Sequence, residues 1–527
     1  MFLNRNLLRS TIFALSTLLF VLWIFFIHVN WNYIQSLRSS DPLWLVKGVS
    51  PWLYILIVAY ILLFFVILTY DLKGKLFHLI YISYLVLVID STPYFLSTLC
   101  RFPDTFGVVG SSVLLPEILS DSIMMSYPKS FPAAYMLSYI IHSLTGVDLF
   151  LFSRSIFSPL ILVGIFVIWY LFIARLFDLR FAFISTIIAI PSQIIETSIS
   201  PNSVGLILVL TSLLLCVSNK WNFRILFLTV EVTLVLTHAI NPLVLFTILL
   251  FYYLFGSLLK SSTLDVSRTK IYSFLVLWIT WILSESCIMG VGIVKTINHI
   301  LTMEGQNLEQ ASTYTVGSGG LATYSWIQSL TMYKYELYGL VVIILIIFDI
   351  YFMDLYPLNM CKLNTLKNPN LLKKYSFLVM SLILLAITLS NLVFGGPDTE
   401  NIISRTLNYS MLFISVFIAY SFLSLNAIHK PSFKVIRIFF IIVLLFVFIT
   451  YPLYSYGRDS YINFPSSEKI GSDFFYSYVP ENNPSIIGYS KSIYFHQLLH
   501  GKKPYISIKN LIYRNTVYSN GWYSIHI

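Results

Sequence analysis

Apolar stretches of about 20 residues, the length of helix that crosses a roughly 30 Å hydrocarbon core, recur along almost the whole of this chain. No other feature narrows its fold so far. A water-soluble protein carries about a quarter charged residues, whereas this one has 11% charged against 57% hydrophobic. A soluble enzyme is thereby excluded. A transmembrane barrel would alternate apolar and polar residues over segments of about ten, and the stretches here are unbroken, as in Val341-Val-Ile-Ile-Leu-Ile-Ile-Phe348. The chain reads as an all-α polytopic membrane protein.

The net charge of +10 comes without any Lys/Arg run of the kind that grips nucleic acid, so no nucleic-acid partner is expected. In a membrane protein Lys and Arg set orientation instead. The N-terminus, with Arg5 and Arg9 before an apolar segment from Thr11 to Ile27, looks like a secretory signal. That segment is too long for one and is followed by His28-Val-Asn-Trp-Asn rather than small residues, so it reads as an uncleaved first helix. Cys100, Cys216, Cys287 and Cys361 are scattered, with no metal-binding or disulfide spacing.

The apolar pattern predicts 13 spans at residues 10–28, 52–70, 76–97, 154–174, 181–198, 203–218, 222–238, 241–258, 271–290, 336–353, 376–393, 406–425 and 434–452. With the N-terminus in the cytoplasm, 18 of the 33 Lys and Arg fall on inner segments, and only Arg38, Lys47, Arg101, Lys129, Arg154, Lys295, Lys334 and Arg405 on outer loops before the tail. The positive-inside rule therefore orients the chain N-in and C-out, in the cytoplasmic membrane. Phe131–Thr145 is read as an interfacial or re-entrant helix, since a crossing there would turn the lysine-rich 354–375 loop outward. The division is a transmembrane domain over 1–452, with long outer loops 91–153 and 291–335, and a small extracytoplasmic α/β domain over 453–527. In that tail Ser466–Phe475 reads as a capped helix and Ser485–Tyr489 as a strand. Gly317-Ser-Gly-Gly320 marks a lid-like loop.

The inner loops have no Walker, kinase or dinucleotide motif, so any chemistry faces outward. Asp104, in Cys100-Arg-Phe-Pro-Asp-Thr-Phe, can deprotonate an acceptor hydroxyl or hold a divalent cation such as Mg2+ or Mn2+. It can equally cap a helix starting at Thr105. Glu117 and Asp121, four apart, form a second acidic pair or a solvated face. Asp90 ends the third span and, with Pro93 following, is expected at the interface as a further acid or a metal ligand. Arg154 and Arg405 open spans on the outer side, where a lipid phosphate needs cations; snorkelling to headgroups is their plain alternative. His238, in Thr237-His-Ala-Ile-Asn-Pro242, can contact the same phosphate or be a satisfied interfacial histidine. Glu231 and Glu285 lie within spans, and neither shows an intramembrane Lys or Arg partner in the sequence.

Phe102-Pro-Asp-Thr-Phe-Gly-Val-Val-Gly-Ser resembles the start of the first outer loop of GT-C-fold glycosyltransferases, and Tyr127-Pro-Lys-Ser-Phe-Pro132 is similar to the Tyr-Pro-Pro turn that follows in them. Leu144-Thr-Gly-Val-Asp148, Arg154, Arg175-Leu-Phe-Asp-Leu-Arg180, Pro191 and Ser200-Pro-Asn-Ser203 continue the likeness in order, over residues 90–260. The likeness is to archaeal-type members. It implies transfer of a sugar from a polyprenyl-phosphate or diphosphate carrier to a protein, lipid or glycan acceptor on the outer side of the bilayer. It assigns Asp104 the role of assisting that acceptor, with Arg154, Arg405 or His238 on the phosphate. The chain departs from the group in having two spans before the one that leads into the loop, no acidic neighbour beside Asp104, and no Trp-Trp-Asp-Tyr-Gly motif. The other readings are a transporter or flippase of a lipid-linked or polar solute, and a catalytically silent assembly subunit.

Overall fold

The structure, a computed structural model, describes residues 5–38, 51–96, 103–113, 115–120, 127–192, 199–217, 220–238, 240–259, 266–285, 369–394, 399–427 and 431–457, with fragments of 337–347 and of the tail. The chain is helical nearly throughout these segments. In order they are α1 (Arg5–Arg38), α2 (Pro51–Thr69), α3 (Lys75–Asp90), α4 (Thr92–Leu96), α5 (Pro103–Val113), α6 (Leu115–Ser120), α7 (Tyr127–Ser130), α8 (Ala133–Thr145) and α9 (Leu149–Phe152). Then follow α10 (Ser158–Leu176), α11 (Leu179–Ala189), α12 (Pro201–Cys216), α13 (Trp221–Thr237), α14 (Asn241–Leu259), α15 (Arg268–Glu285), α16 (Pro369–Phe394), α17 (Thr399–Ala427) and α18 (Pro431–Gly457).

Four described stretches, Asn6–Ile34, Pro51–Thr69, Leu149–Leu176 and Arg405–Leu423, are long and apolar enough to cross a membrane. Shorter apolar helices cover Leu179–Ser192, Pro201–Cys216, Asn241–Gly256, Tyr375–Ser390 and Ile438–Pro452. The outside of the bundle is as apolar as its core, with Leu283 80% and Leu76 71% exposed beside Leu160 and Val276. A surface of this kind has a bilayer as its solvent. This is a helical membrane protein.

Proline sets where two helices break. Pro93 has no N–H to return to the Ile89 carbonyl, so α3 stops at Asp90 and restarts as α4. The expected span 76–97 is thus two helices, not one. Pro191 likewise turns the end of α11 into a 3-10 turn over Ile190–Ser192, and residues 193–198 of the expected span lie outside the described residues. Ala133–Thr145 is a separate 13-residue helix, ended by Gly146 at φ 65, a left-handed position that glycine takes without strain. Its apolar residues Met136, Leu137, Ile140 and Leu144 are exposed while Ala134, Tyr135 and Ser138 are buried, as a helix lying along an interface requires.

At the centre, α10 packs on α3, α11 and α12, and α11 packs on α17. Trp169 of α10 meets Phe413 of α17 edge-on, with ring centroids 5.7 Å apart. Helices α16 and α17 form a long antiparallel pair joined by hydroxyls: Ser381 and Ser410 each donate to the other's carbonyl at 3.0 Å, and Thr388 meets Thr406 at 2.7 Å. Ser185 of α11 meets Ser415 at 3.0 Å. Small hydroxylated residues let helices approach closely where lipid supplies no hydrophobic drive between them. In the tail, β1 (Ile486–Ile487), β2 (Thr516–Ser519) and β3 (Ser524–His526) pair antiparallel in the order β1-β3-β2. The helix expected at Ser466–Phe475, like the loop 291–335, lies outside the described residues.

Because Ser381 and Ser410 share one reciprocal contact, a double-mutant cycle of Ser381→Ala and Ser410→Ala, read by thermal unfolding in detergent, should return a coupling of about 0.6 kcal/mol, the average for hydrogen bonds between membrane helices. Additive losses would show that the contact contributes nothing.

Candidate functional site

Helix boundaries from distant parts of the chain meet at one end of the bundle, where α3 and α13 finish and α10, α12, α14 and α17 begin. Ser200 is the N-cap of α12, accepting from the Ser203 amide at 3.3 Å, with Pro201 in the first turn. The Ser153 hydroxyl accepts from the Ile199 amide at 3.3 Å, tying the start of α10 to the start of α12. Asn241 then links three elements. Its Nδ2 donates to the Asn202 carbonyl at 3.4 Å, and its Oδ1 accepts from the Tyr409 hydroxyl of α17 at 3.3 Å. It fits there because residue 205 is glycine, and any Cβ at that place would overlap the Asn241 amide.

His238 is buried at the C-cap of α13. Its Nδ1 accepts from the backbone N–H groups of Ile240 at 2.9 Å and Asn241 at 3.3 Å, so the ring serves the first amides of α14 much as an N-cap side chain would. That use of Nδ1 as an acceptor leaves the proton on Nε2 in the neutral ring. The guanidinium of Arg405, one turn before Tyr409 on α17, bears electrostatically on both His238 and Tyr409. Two of the three residues expected to hold phosphate, Arg405 and His238, thus each stand within a turn of the Asn241–Tyr409 contact, although they are far apart in the chain.

The third, Arg154, is half-buried in a π-helical turn over Ser153–Phe157 that joins α9 to α10, with its Nε donating to the Ser155 hydroxyl at 3.3 Å. Pro159 accounts for the turn, since it cannot donate to the Ser155 carbonyl and its ring crowds that group. The wider π turn relieves the conflict, and such turns recur at functional sites. Nothing in the apolar periodicity announces it; Pro159 at a helix start was the one available sign. The turn that carries Arg154 is tied to the start of α12 through Ser153 and Ile199, and α12 to α14 through Asn202 and Asn241.

Asp104 is in the first turn of α5, which starts at Pro103. The helix therefore begins two residues before the Thr105 start expected from the sequence. Helix α5 packs on α8 and α9, the segment that runs into Arg154. The side chain of Asp104 lies outside the described residues, as do that of Glu117 on α6 and the whole of Asp121. Asp90 is 4% exposed at the break between α3 and α4, flanked by Thr92, whose hydroxyl accepts from Trp23 Nε1 at 2.9 Å. Helix α4, which follows it, packs on α3 and on the π turn. Among the described residues no three His, Cys, Asp or Glu side chains gather as a metal site.

Glu231 has a partner that the sequence conceals. Lys270, assigned from the sequence to an inner loop, is in the first turn of α15 and buried; its ammonium lies 5.7 Å from the centre of the Phe227 ring, one turn from Glu231 on α13. It is the charge that bears on the fully buried Glu231 carboxyl, which has no hydrogen-bond partner among the described residues. The partner comes from another helix, which is why spacing within one segment missed it. Glu285 ends α15, its side chain outside the described residues.

No protein-family model matches this chain, and no curated protein resembles it in sequence.

Two expectations follow. Gly205→Ala should lower stability by about 1–3 kcal/mol through overpacking against Asn241, and Gly205→Ala with Asn241→Ala should recover part of that loss; thermal unfolding of the purified protein measures both. Lys270→Met and Glu231→Gln, combined in a double-mutant cycle read by the same unfolding, should show a coupling of about 0.5 kcal/mol or more, and additive losses would show that the two do not interact.

Proposed function

We propose that this chain is an integral-membrane glycosyltransferase of GT-C type, with 13 spans, an inner N-terminus, an outward active end and an outward α/β tail domain over 453–527. It moves a sugar from a polyprenyl-phosphate carrier to a protein, lipid or glycan acceptor. The observation that supports this reading is convergence: Arg405 precedes by one turn the Tyr409 that bonds Asn241, His238 accepts from the Asn241 amide, and the turn carrying Arg154 is tied to the start of α12 through Ser153 and Ile199. The helix bearing Asp104 packs against the segment that leads into Arg154. The order of motifs over residues 90–260 supports the same reading.

The chemistry follows from those groups. A phosphate at the membrane surface is short of water, so guanidinium groups and the Nε2–H of His238 supply the charge-assisted hydrogen bonds that it lacks. As an acceptor hydroxyl attacks the anomeric carbon, its proton passes to the Asp104 carboxylate and the new C–O bond forms. The bond from that carbon to the carrier's phosphate breaks, its electron pair leaves on the phosphate oxygen, and Arg154 and Arg405 stabilise the charge that develops there. A single displacement inverts the anomeric centre.

One observation favours a second reading. The buried Glu231 with Lys270 beneath it is what a carrier of a polar or lipid-linked solute places between its helices. The same experiment separates the two. Membranes containing the full chain and a labelled polyprenyl-phosphate sugar should transfer sugar to acceptor. Asp104→Asn should reduce that transfer by about a hundredfold or more, the usual contribution of a positioned base. Arg405→Gln should raise the donor KM about tenfold or more, the loss of a charge-assisted contact. Transfer that is absent in the native protein, or unaltered by both substitutions, rejects the enzyme.

A further inference from the structure

The opposite end of the bundle carries a second concentration of charge that the proposed transferase does not use. Three segments distant in sequence meet there: the start of α1, the turn between α2 and α3, and the start of α11. Asp71, in the left-handed region at φ 48, is shared by Arg180 Nη1 at 3.3 Å and Lys73 Nζ at 3.4 Å. Arg180 Nη2 also donates to the Leu68 carbonyl at 3.3 Å, and Arg9 Nη1 donates to the Lys73 carbonyl at 3.4 Å. Gly74 lies under that guanidinium, whose Nη1 is 3.5 Å from the place a Cβ would take. Lys75 completes the group as the exposed first residue of α3.

Two cations thus pair with Asp71, while Arg9 and Lys75 stand beside the same turn; with Asp178 capping α11 next to Arg180 the four cations face two carboxylates, so the excess is positive. The Nε of Arg180 is buried and has no hydrogen-bond partner among the described residues. Gly74, the N-cap of α3, supplies no side-chain acceptor to the first amides of that helix, which adds the partial positive charge of a helix start. Leu7, Tyr70 and Leu76, all exposed, ring the same turn. Apolar side chains and a tyrosine directly beside cations mark the level at which acyl chains give way to headgroups. That level distinguishes this cluster from a site for a soluble anion.

We propose that Arg9, Lys73, Lys75 and Arg180 form a binding site for the phosphate of an anionic lipid headgroup, with the acyl chains against Leu7, Tyr70 and Leu76. Its ligand is a bilayer lipid at the end of the bundle remote from Arg405 and His238, and the site stands whether or not the chain transfers sugar.

Native mass spectrometry of the full-length protein in detergent, titrated separately with phosphatidylglycerol and phosphatidylcholine, tests it. Phosphatidylglycerol should bind about tenfold or more tightly than phosphatidylcholine, as several cations at headgroup level imply. Lys73→Gln with Lys75→Gln should abolish most of that preference and leave phosphatidylcholine binding as it was. Lys73→Arg with Lys75→Arg should retain the preference, which separates lost charge from lost fold. Lys220→Gln, at an exposed cation that begins α13 on the same end, should also retain it. Equal binding of the two lipids, a preference that survives the double glutamine variant, or an equal loss in Lys220→Gln would overturn the site. Displacement of phosphatidylglycerol by millimolar inorganic phosphate would overturn the lipid as its ligand.

Discussion

Inside a bilayer a backbone amide has no water to bind, and every buried N–H and C=O must find its partner within the chain. The rest of this structure depends on that constraint. It forces each described apolar segment into helix. It also pushes the backbone groups that a helix leaves unpaired to the helix ends, so capping chemistry and functional chemistry gather at the same two levels. Ser200, Asp178 and Asp148 each serve as N-caps, the last two accepting from backbone amides at 2.7 Å. Arg154, His238 and Arg405 stand at or near helix starts and ends for the same reason.

The constraint also explains why the interior can be held by so little polar contact. With lipid on one side and apolar side chains on the other, hydrophobic burial does not distinguish inside from outside. Close approach and hydroxyl pairs do: Ser381 with Ser410, Thr388 with Thr406 and Ser185 with Ser415 all join helices. His78 belongs with them, buried between the Tyr170 hydroxyl at 3.1 Å and the Leu72 carbonyl at 3.0 Å and stacked on Phe183. Lys270, from another helix, bears electrostatically on the buried Glu231.

Several of the motifs that carry the likeness to GT-C enzymes have local work to do as well. In Leu144-Thr-Gly-Val-Asp148 the glycine is the left-handed end of α8 and the aspartate caps α9. In Arg175-Leu-Phe-Asp-Leu-Arg180 the aspartate caps α11 and the final arginine binds Asp71. In Ser200-Pro-Asn-Ser203 the first serine caps α12 and the Asn202 carbonyl receives Asn241. Helix punctuation accounts for these residues without any substrate. The functional proposal therefore rests on the residues that punctuation does not absorb, namely Arg405, Arg154 and Asp104, together with the Nε2 edge of His238.

Local chemistry was legible in the sequence: the apolar lengths that make helices and the separate short helix at Ala133–Thr145. These depend on residues within a few places of one another, so periodicity and composition suffice to find them. What only the tertiary structure decided involves partners from different helices. Arg405 bears on His238 across more than one hundred and sixty residues, Lys270 bears on Glu231, Asp90 is buried at the break between α3 and α4, and Arg9 and Arg180 close on the turn at Asp71. Each of those meetings is set by which helix packs on which. Apolar faces all look alike to a one-dimensional pattern, and the choice among them was made by the few hydroxyls, glycines and buried charges that fit one arrangement of helices.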